Sequence, residues 1–491
     1  MIGTERHPRI YSQAREIMKT SKFNRRAFAG NILKTSAALT MPWNRLCRAV
    51  GSEFRLRFAE GSPIEVPPNF TGLGYEALSV ATPGLLSPAN QRYVNLIRGL
   101  GPQGVLRVGG IVADYTSYVP DAAPVNDRKN TVITRASLEQ FAAFLGATGW
   151  TTIWSVNFAQ GTIKQAIEEA RAVAQTLGTR LLAVEIGNEV ENYGNGSRFR
   201  PDPYTYEQYS GEFHEWRTAI AKAVPGVHFA GPDTAQSVDW VELMASEGKG
   251  DVQLLTTHYY RNGQARGSAE QLITPDLRLD AVIARMRTAS QQSGIPWRMC
   301  EINSFSGGGL RGVSDTFLGS LWTLKTMMLL AQNGCSGVNM ETGVNQLGFV
   351  SSYSPIQDDG KGINSAGVPY YGMLAFAAAF SGCHQVLPLE MNVLGEGVSA
   401  CVFGSGGKPR SIVIVNMTPS EVKLSTESVG VDTASILWLT APTLESRTGV
   451  SFGGGTVGAD GHWKLEHKDR LRNGTVTVSK LSAAVLRVGE E

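Results

Sequence analysis

The sequence is short of the features that mark a membrane protein, a nucleic-acid binder or a metal-stapled domain. No run of about 18 apolar residues occurs, so no transmembrane helix is expected. Lys and Arg (45) nearly balance Asp and Glu (43), leaving a net charge of +2. No global field therefore argues for nucleic acid or a membrane surface as a partner. The five cysteines, Cys47, Cys300, Cys335, Cys383 and Cys401, are odd in number, and no pair has metal-ligand spacing, so no disulfide framework is expected. Cys300 and Cys335 sit in apolar, strand-like runs and read as buried free thiols. The seven histidines are scattered, with no partner for His258 at ligand spacing, so no metal site is expected. There is no repeat at a solenoid period and no low-complexity tract.

What is present is a long alternation of two textures. The chain has 491 residues, too many for one ordinary domain but suited to a barrel of about 250 residues or more with a smaller partner. Short apolar runs at 72–76, 105–109, 152–157, 181–187, 228–231, 254–260, 297–301 and 336–341 read as strands. Helical patterns lie between them at 87–100, 137–148, 162–177, 205–224, 237–247, 275–293 and 314–333, with an eighth at 370–380. Ser87 and Ser137 are the expected caps of the first two. The count is that of a (β/α)8 TIM barrel, an α/β fold.

From about residue 385 the segments become short, alternating and Gly-punctuated, as in Ser411-Ile412-Val413-Ile414-Val415-Asn416, which reads as a C-terminal antiparallel β-sandwich. An early alternating strand (Phe54, Leu56, Phe58) has no helix before it and could join that sandwich. The expected organisation is a tail over 1–50, the early strand over 51–70, a catalytic barrel over 71–384 and the sandwich over 385–491. Within the tail, Arg25-Arg26 precedes the mildly apolar run 29–41, which resembles a twin-arginine export signal. The expectation is export to the periplasm or beyond, with a disordered tail on a cytoplasmic protein as the alternative.

Two of the strand signals end in a carboxylate. Leu181-Leu182-Ala183-Val184-Glu185-Ile186-Gly187-Asn188-Glu189 closes the fourth, and Trp297-Arg298-Met299-Cys300-Glu301-Ile302-Asn303-Ser304 contains Glu301 in the seventh. Strands four and seven face each other across an eight-stranded barrel, whose chemistry sits at the C-terminal strand ends. A carboxylate this close to a buried strand is paired, hydrogen-bonded or functional. Two carboxylates in one pocket are the minimum for glycoside hydrolysis: about 5–5.5 Å apart for retention, about 6.5–9.5 Å for inversion. His258 and Tyr260, two residues apart in the sixth strand signal, share one face. On the barrel mouth, Tyr260 could donate a hydrogen bond to Glu301 and His258 could line a sugar subsite. Gly307-Gly308-Gly309 could offer backbone N–H groups to an anion.

At these residues the chain resembles glycoside hydrolase family 79, the bacterial β-glucuronidases and heparanase-like enzymes. Asn188-Glu189 is similar to the family's acid/base motif, and Glu301-Ile302-Asn303-Ser304 with Gly307-Gly308-Gly309 to its nucleophile motif. Leu106-Arg107-Val108-Gly109-Gly110, Thr257-His258-Tyr259-Tyr260, Tyr353-Ser354-Pro355-Ile356 and Tyr370-Tyr371-Gly372-Met373 follow in the family's order. The resemblance implies a retaining β-glucuronidase that needs no cofactor, with Glu189 as acid/base and Glu301 as nucleophile. Asn188 would contact the sugar 2-hydroxyl and Glu76 another hydroxyl. Tyr353, with N–H groups near Gly307 and Gly308, would receive the uronate carboxylate. Two departures stand out. Ser306 replaces a tyrosine often found five residues after the nucleophile. Ser352 replaces a glycine before Tyr353, with its backbone N–H kept for the carboxylate. The alternatives are a β-glucosidase or diglycosidase using the same glutamates on a neutral sugar, and a non-catalytic carbohydrate-binding barrel.

Overall fold

A computed structural model describes residues 53–248, 250–343, 351–359, 362–391 and 397–489. The segment around Arg25-Arg26 expected to direct export, and Cys47, lie outside them. Among the described residues no helix is long and apolar enough to cross a membrane.

Eight parallel strands close into a barrel. They are β1 (Thr71–Glu76), β2 (Val105–Gly109), β3 (Thr151–Val156), β4 (Leu181–Ile186), β5 (Phe229–Thr234), β6 (Leu254–Gly263), β7 (Trp297–Ser306) and β8 (Val338–Glu341). A helix follows each: α1 (Gln91–Gly99), α2 (Arg135–Thr148), α3 (Ile163–Leu177), α4 (Tyr206–Ala223), α5 (Val238–Glu247), α6 (Leu277–Ser293), α7 (Phe317–Gln332) and α8 (Val368–Phe380). This is the expected (β/α)8 barrel. Two helix starts differ from expectation. Asn90, not Ser87, caps α1 by accepting from the Tyr93 N–H; Thr134, not Ser137, caps α2. Ser87 is followed by proline and closes a turn instead, its carbonyl accepting from the Asn90 N–H at 3.0 Å.

Two sheets pack beside the barrel. The strand Glu53–Phe58 runs between Leu389–Met391 and Val422–Ser425, with Thr475–Val478 beyond. It therefore belongs to the sandwich, but its pairing with Val422–Ser425 is parallel. No hairpin joins those two strands, so no turn dictates an antiparallel direction. The larger sheet is built on Val398–Ser405, Lys408–Asn416, Ser482–Arg487 and Ala434–Thr440. Its run Ile412-Val413-Ile414-Val415 is apolar throughout because both faces are covered. Ile412 and Ile414 enter the core between the sheets, while Val413 and Val415 join the barrel's core. Helices α7 and α8 are buried almost all round for the same reason, between barrel and sandwich. Arg487 ties the junction by donating to the carbonyl of Ala378 at 2.8 Å.

Inside the barrel, side chains change character with height. Val105, Ile153, Ala183, Ala230, Leu254 and Cys300 form one apolar layer. Two residues further along β2, β3 and β4, the inward positions are Arg107, Ser155 and Glu185, all buried. The period of two thus places a charged layer on an apolar one, just below the mouth. Cys300, Cys335, Cys383 and Cys401 are free and buried.

Candidate active site

Arg107 is the hub of the charged layer and has no exposure. Its Nε donates to Glu185 at 3.0 Å, one terminal nitrogen to Glu301 at 3.0 Å, and the other to the Asn188 side-chain oxygen at 2.8 Å and to Asp233. A buried guanidinium is tolerable only when its donors are spent in this way. Burial opposes its charge, but Asp233, Glu185 and Glu301 hold its pKa well above the usual arginine value. Burial first, then the neighbouring Asp233 charge, push Glu185 up to about 7. Asp233 goes the other way, to about 2: burial opposes its charge, but Arg107 and His258 outweigh it.

His258 is the second hub. Its Nε2 lies 2.9 Å from Asp233, and its Nδ1 lies 3.4 Å from Glu189 and 3.7 Å from Glu301. Burial would lower its pKa, yet Asp233 and Glu301 hold it well above the usual histidine value. Register pairing sets it directly beside Glu301 on the neighbouring strand. Tyr260, one inward position higher on β6, donates to the other oxygen of Glu301 at 2.7 Å.

Glu189 stands just past β4 in left-handed backbone (φ +50°), and its N–H donates to the Asp233 carbonyl at 2.8 Å. Asp233 is also left-handed, at φ +59°. Such conformations cost side-chain-bearing residues on the order of 1–3 kcal/mol and persist where the surroundings impose them. Behind Asn188, the Tyr193 hydroxyl accepts from its N–H at 3.3 Å and donates to buried Asp114 at 2.6 Å. The result is that a carboxyl oxygen of Glu189, a nitrogen of His258 and a carboxyl oxygen of Glu301 all lie within 4.8 Å of one another.

These groups border a cavity of about 190 Å³ at the barrel mouth. Its wall includes Glu76, Asn188, Glu189, Tyr260, Glu301 and Tyr353, together with Ser306, Gly307 and Gly308. Of the residues expected to touch a sugar, His258 alone is not in that wall; it lies beneath, where it links Asp233 to the two glutamates. Ser352 also differs from expectation. Its N–H donates to the Gly308 carbonyl at 2.6 Å and so is already used. Glu76 accepts from the Val112 N–H at 2.8 Å, and burial pushes its pKa up to about 8.

Sequence reasoning passed over Arg107, Glu185, Asp233, Asp114, Arg128 and Glu341 as site residues. Arg128 and Glu341 are in the cavity wall. For Arg107 and Glu185 a signal existed: each is a charge inside an apolar strand run.

Among the described residues three clusters have cation-holding spacing: Glu189 with His258 and Glu301, Glu185 with Asp233 and Cys300, and His214 with Glu247 and Asp251. In the first two, positive charge is already supplied by Arg107 and His258. In the third, both His214 nitrogens already face acceptors, the Ser210 carbonyl at 2.6 Å and Asp251 at 3.1 Å.

No model of a known protein family matches the chain. A curated β-glucuronidase from Aspergillus niger is 22% identical over 458 residues, spanning 85% of this chain and 77% of the relative. Among solved structures, a 4-O-α-L-rhamnosyl-β-D-glucuronidase from Fusarium oxysporum 12S superposes with a TM-score of 0.72 at 15% identity, covering 89% of this chain and 100% of that one. A GH51 arabinofuranosidase from Xanthomonas axonopodis pv. citri gives 0.63 at 15% identity over 89% and 99% of the two chains. The chain thus shares its barrel-and-sandwich fold with glycoside hydrolases.

Proposed function

We propose that this protein is a retaining β-glucuronidase of the glycoside hydrolase family 79 type, releasing terminal β-linked glucuronic acid. Its coarser activity, hydrolysis of an O-glycosidic bond, is common to the Aspergillus niger relative and the solved neighbours, and on that ground the chain is a glycoside hydrolase. One observation carries the retaining part of that reading. Oxygens of Glu189 and Glu301 come within 4.8 Å of each other on the wall of one cavity. That favours the short carboxylate separation of retaining enzymes over the ~6.5–9.5 Å that leaves room for an inverting water.

Glu301, held by Arg107 and Tyr260, attacks the anomeric carbon while Glu189 gives a proton to the departing oxygen. Water entering from the leaving-group side surrenders a proton to Glu189 and releases the sugar with its configuration kept. Arg107 fixes the Asn188 oxygen, which leaves the amide NH2 as a donor for the 2-hydroxyl. Tyr353 and the N–H groups at Gly307 and Gly308 suit the uronate. The cavity is small beside the ~300–1,000 Å³ of drug-sized ligand pockets, which fits one terminal sugar ring.

A second reading is a β-glucosidase or diglycosidase; Ser306 in the cavity wall supports it, since a small side chain there widens the subsite. Turnover of aryl β-glucuronide, β-glucoside and β-xyloside, with the first-formed anomer followed by NMR, separates the readings. β-Glucuronic acid formed first from a preferred glucuronide supports the proposal; an α-anomer or a preferred neutral glycoside removes it. We also infer export through the Arg25-Arg26 segment, which requires activity in the extracytoplasmic fraction and its loss from there in Arg25→Lys/Arg26→Lys.

A further inference from the structure

The cavity poses an electrostatic problem for the sugar it is proposed to hold. Glu76, Glu189, Glu301 and Glu341 all stand in its wall, with Arg128 the positive side chain there. Four ionised carboxylates would repel a uronate. Glu341, at the end of β8, is the least provided for. It is buried, and its Oε2 has no hydrogen-bond partner among the described residues. Ionised, such an unpartnered buried carboxylate costs several kcal/mol or more, so this side chain keeps its proton.

Its seat is built for a carboxyl group. Glu341 pairs in register with Gly74 of β1, where a Cβ would overlap Oε2. The titratable groups around it come from every neighbouring strand: Tyr75 and Glu76 on β1, Arg107 on β2, His258 and Tyr260 on β6, Glu301 on β7, and Tyr353 on the loop after β8. Neither cation is free to serve it, because Arg107 is spent on Glu185, Glu301, Asn188 and Asp233, and His258 on Asp233 and the two facing glutamates. The carboxyl groups of Glu76 and Glu301 flank it instead. Burial first, then the charge of Glu301 and then that of Glu76, raise the Glu341 pKa well above the carboxylate range.

We propose that Glu341 is a specificity-determining residue of this site, contacting the sugar directly and donating a hydrogen bond to its uronate carboxylate. This rests on the β-glucuronidase reading and explains how an acid-lined pocket admits an acidic sugar. Tyr353, the Gly307 and Gly308 N–H groups and Glu341 then form one set of donors, and a neutral sugar would leave the Glu341 proton unmatched.

The test compares Glu341→Gln and Glu341→Ala with the wild type, using the inhibition constant of free D-glucuronate and kcat/KM for an aryl β-glucuronide, with the thermal midpoint as a check on folding. Glutamine keeps a donor, so Glu341→Gln stays within a few-fold of wild type, whereas Glu341→Ala weakens D-glucuronate by about 10- to 100-fold. The wild-type inhibition constant rises with pH as Glu341 loses its proton, and that rise is reduced in Glu341→Gln. Equal losses in the two variants, or a Glu341→Ala within twofold of wild type, would overturn the proposal. If Glu341→Ala does not fold, the pH profile of Glu341→Gln decides: a rise as steep as the wild type's overturns it. A wild type that does not cleave the glucuronide overturns the underlying reading as well, whereas a wild type that does, with insensitive variants, overturns this inference alone.

Discussion

The hydroxyl of Tyr260 lies 2.7 Å from Oε1 of Glu301, on the side of the carboxylate opposite the Arg107 contact. Each Glu301 oxygen therefore has one strong donor, and the carboxyl plane is fixed toward the cavity. Tyr260→Phe removes one of the two. The expected result is a fall in kcat/KM for an aryl β-glucuronide of about 10- to 100-fold, the scale of one hydrogen bond to a charged group, with the thermal midpoint little changed. Wild-type kinetics in this variant would mean that the contact has no part in orienting Glu301.

Arg107 serves four acceptors at zero exposure. Arg107→Met would leave Asp233 and Glu185 buried beside fewer cations, a change of about 3–5 kcal/mol when one partner of a buried pair is lost. Arg107→Lys keeps the charge but loses the planar fork, so it recovers only part of the loss. The expected order of thermal midpoints is wild type, then lysine, then methionine. A methionine variant melting with the wild type would contradict the account of the charged layer.

Several buried acids hold protons that the unfolded chain would release. Burial raises Asp114, Glu169, Glu185 and Glu191 to about 7 each. Between the ordinary carboxylate range near pH 4–4.5 and about pH 7, the folded state binds more protons than the unfolded state. Stability therefore falls as pH rises through that window. His258, with its raised pKa, acts in the same sense above about pH 6.5, while Asp233, held near 2, contributes stability that is lost only as pH drops from about 4 toward 2. The thermal midpoint should be highest at mildly acidic pH and decline toward pH 8, with a shallower decline in Glu169→Gln. A midpoint that climbs from pH 5 to 7 would refute this assignment of protons.

The barrel was legible because parallel strands buried on both faces are continuous apolar runs, and helices of nine to eighteen residues separate them. The placing of Glu189 and Glu301 at one barrel mouth was legible because a carboxylate this close to a buried strand is paired, hydrogen-bonded or functional. The charged layer was not. The fifth strand signal stops at Gly231, yet β5 continues through Thr234. That misplaced boundary hid Asp233, which ties Arg107 to His258. Glu185 was seen only as part of an apolar run, and Glu341 only as a strand's last residue. Which inward residues share one height depends on strand stagger around the barrel, and a single sequence does not carry that. The cap residues of α1 and α2 were missed for a local reason: serine, asparagine and threonine all compete for the same role within a few positions.

Turnover of an aryl β-glucuronide by Glu301→Ala, in enzyme shown to be folded, tests the central claim most directly. The account predicts a fall of several orders of magnitude, because among the described residues no other carboxylate of the cavity wall has both Arg107 and Tyr260 donating to it. Turnover near that of the wild type would contradict it.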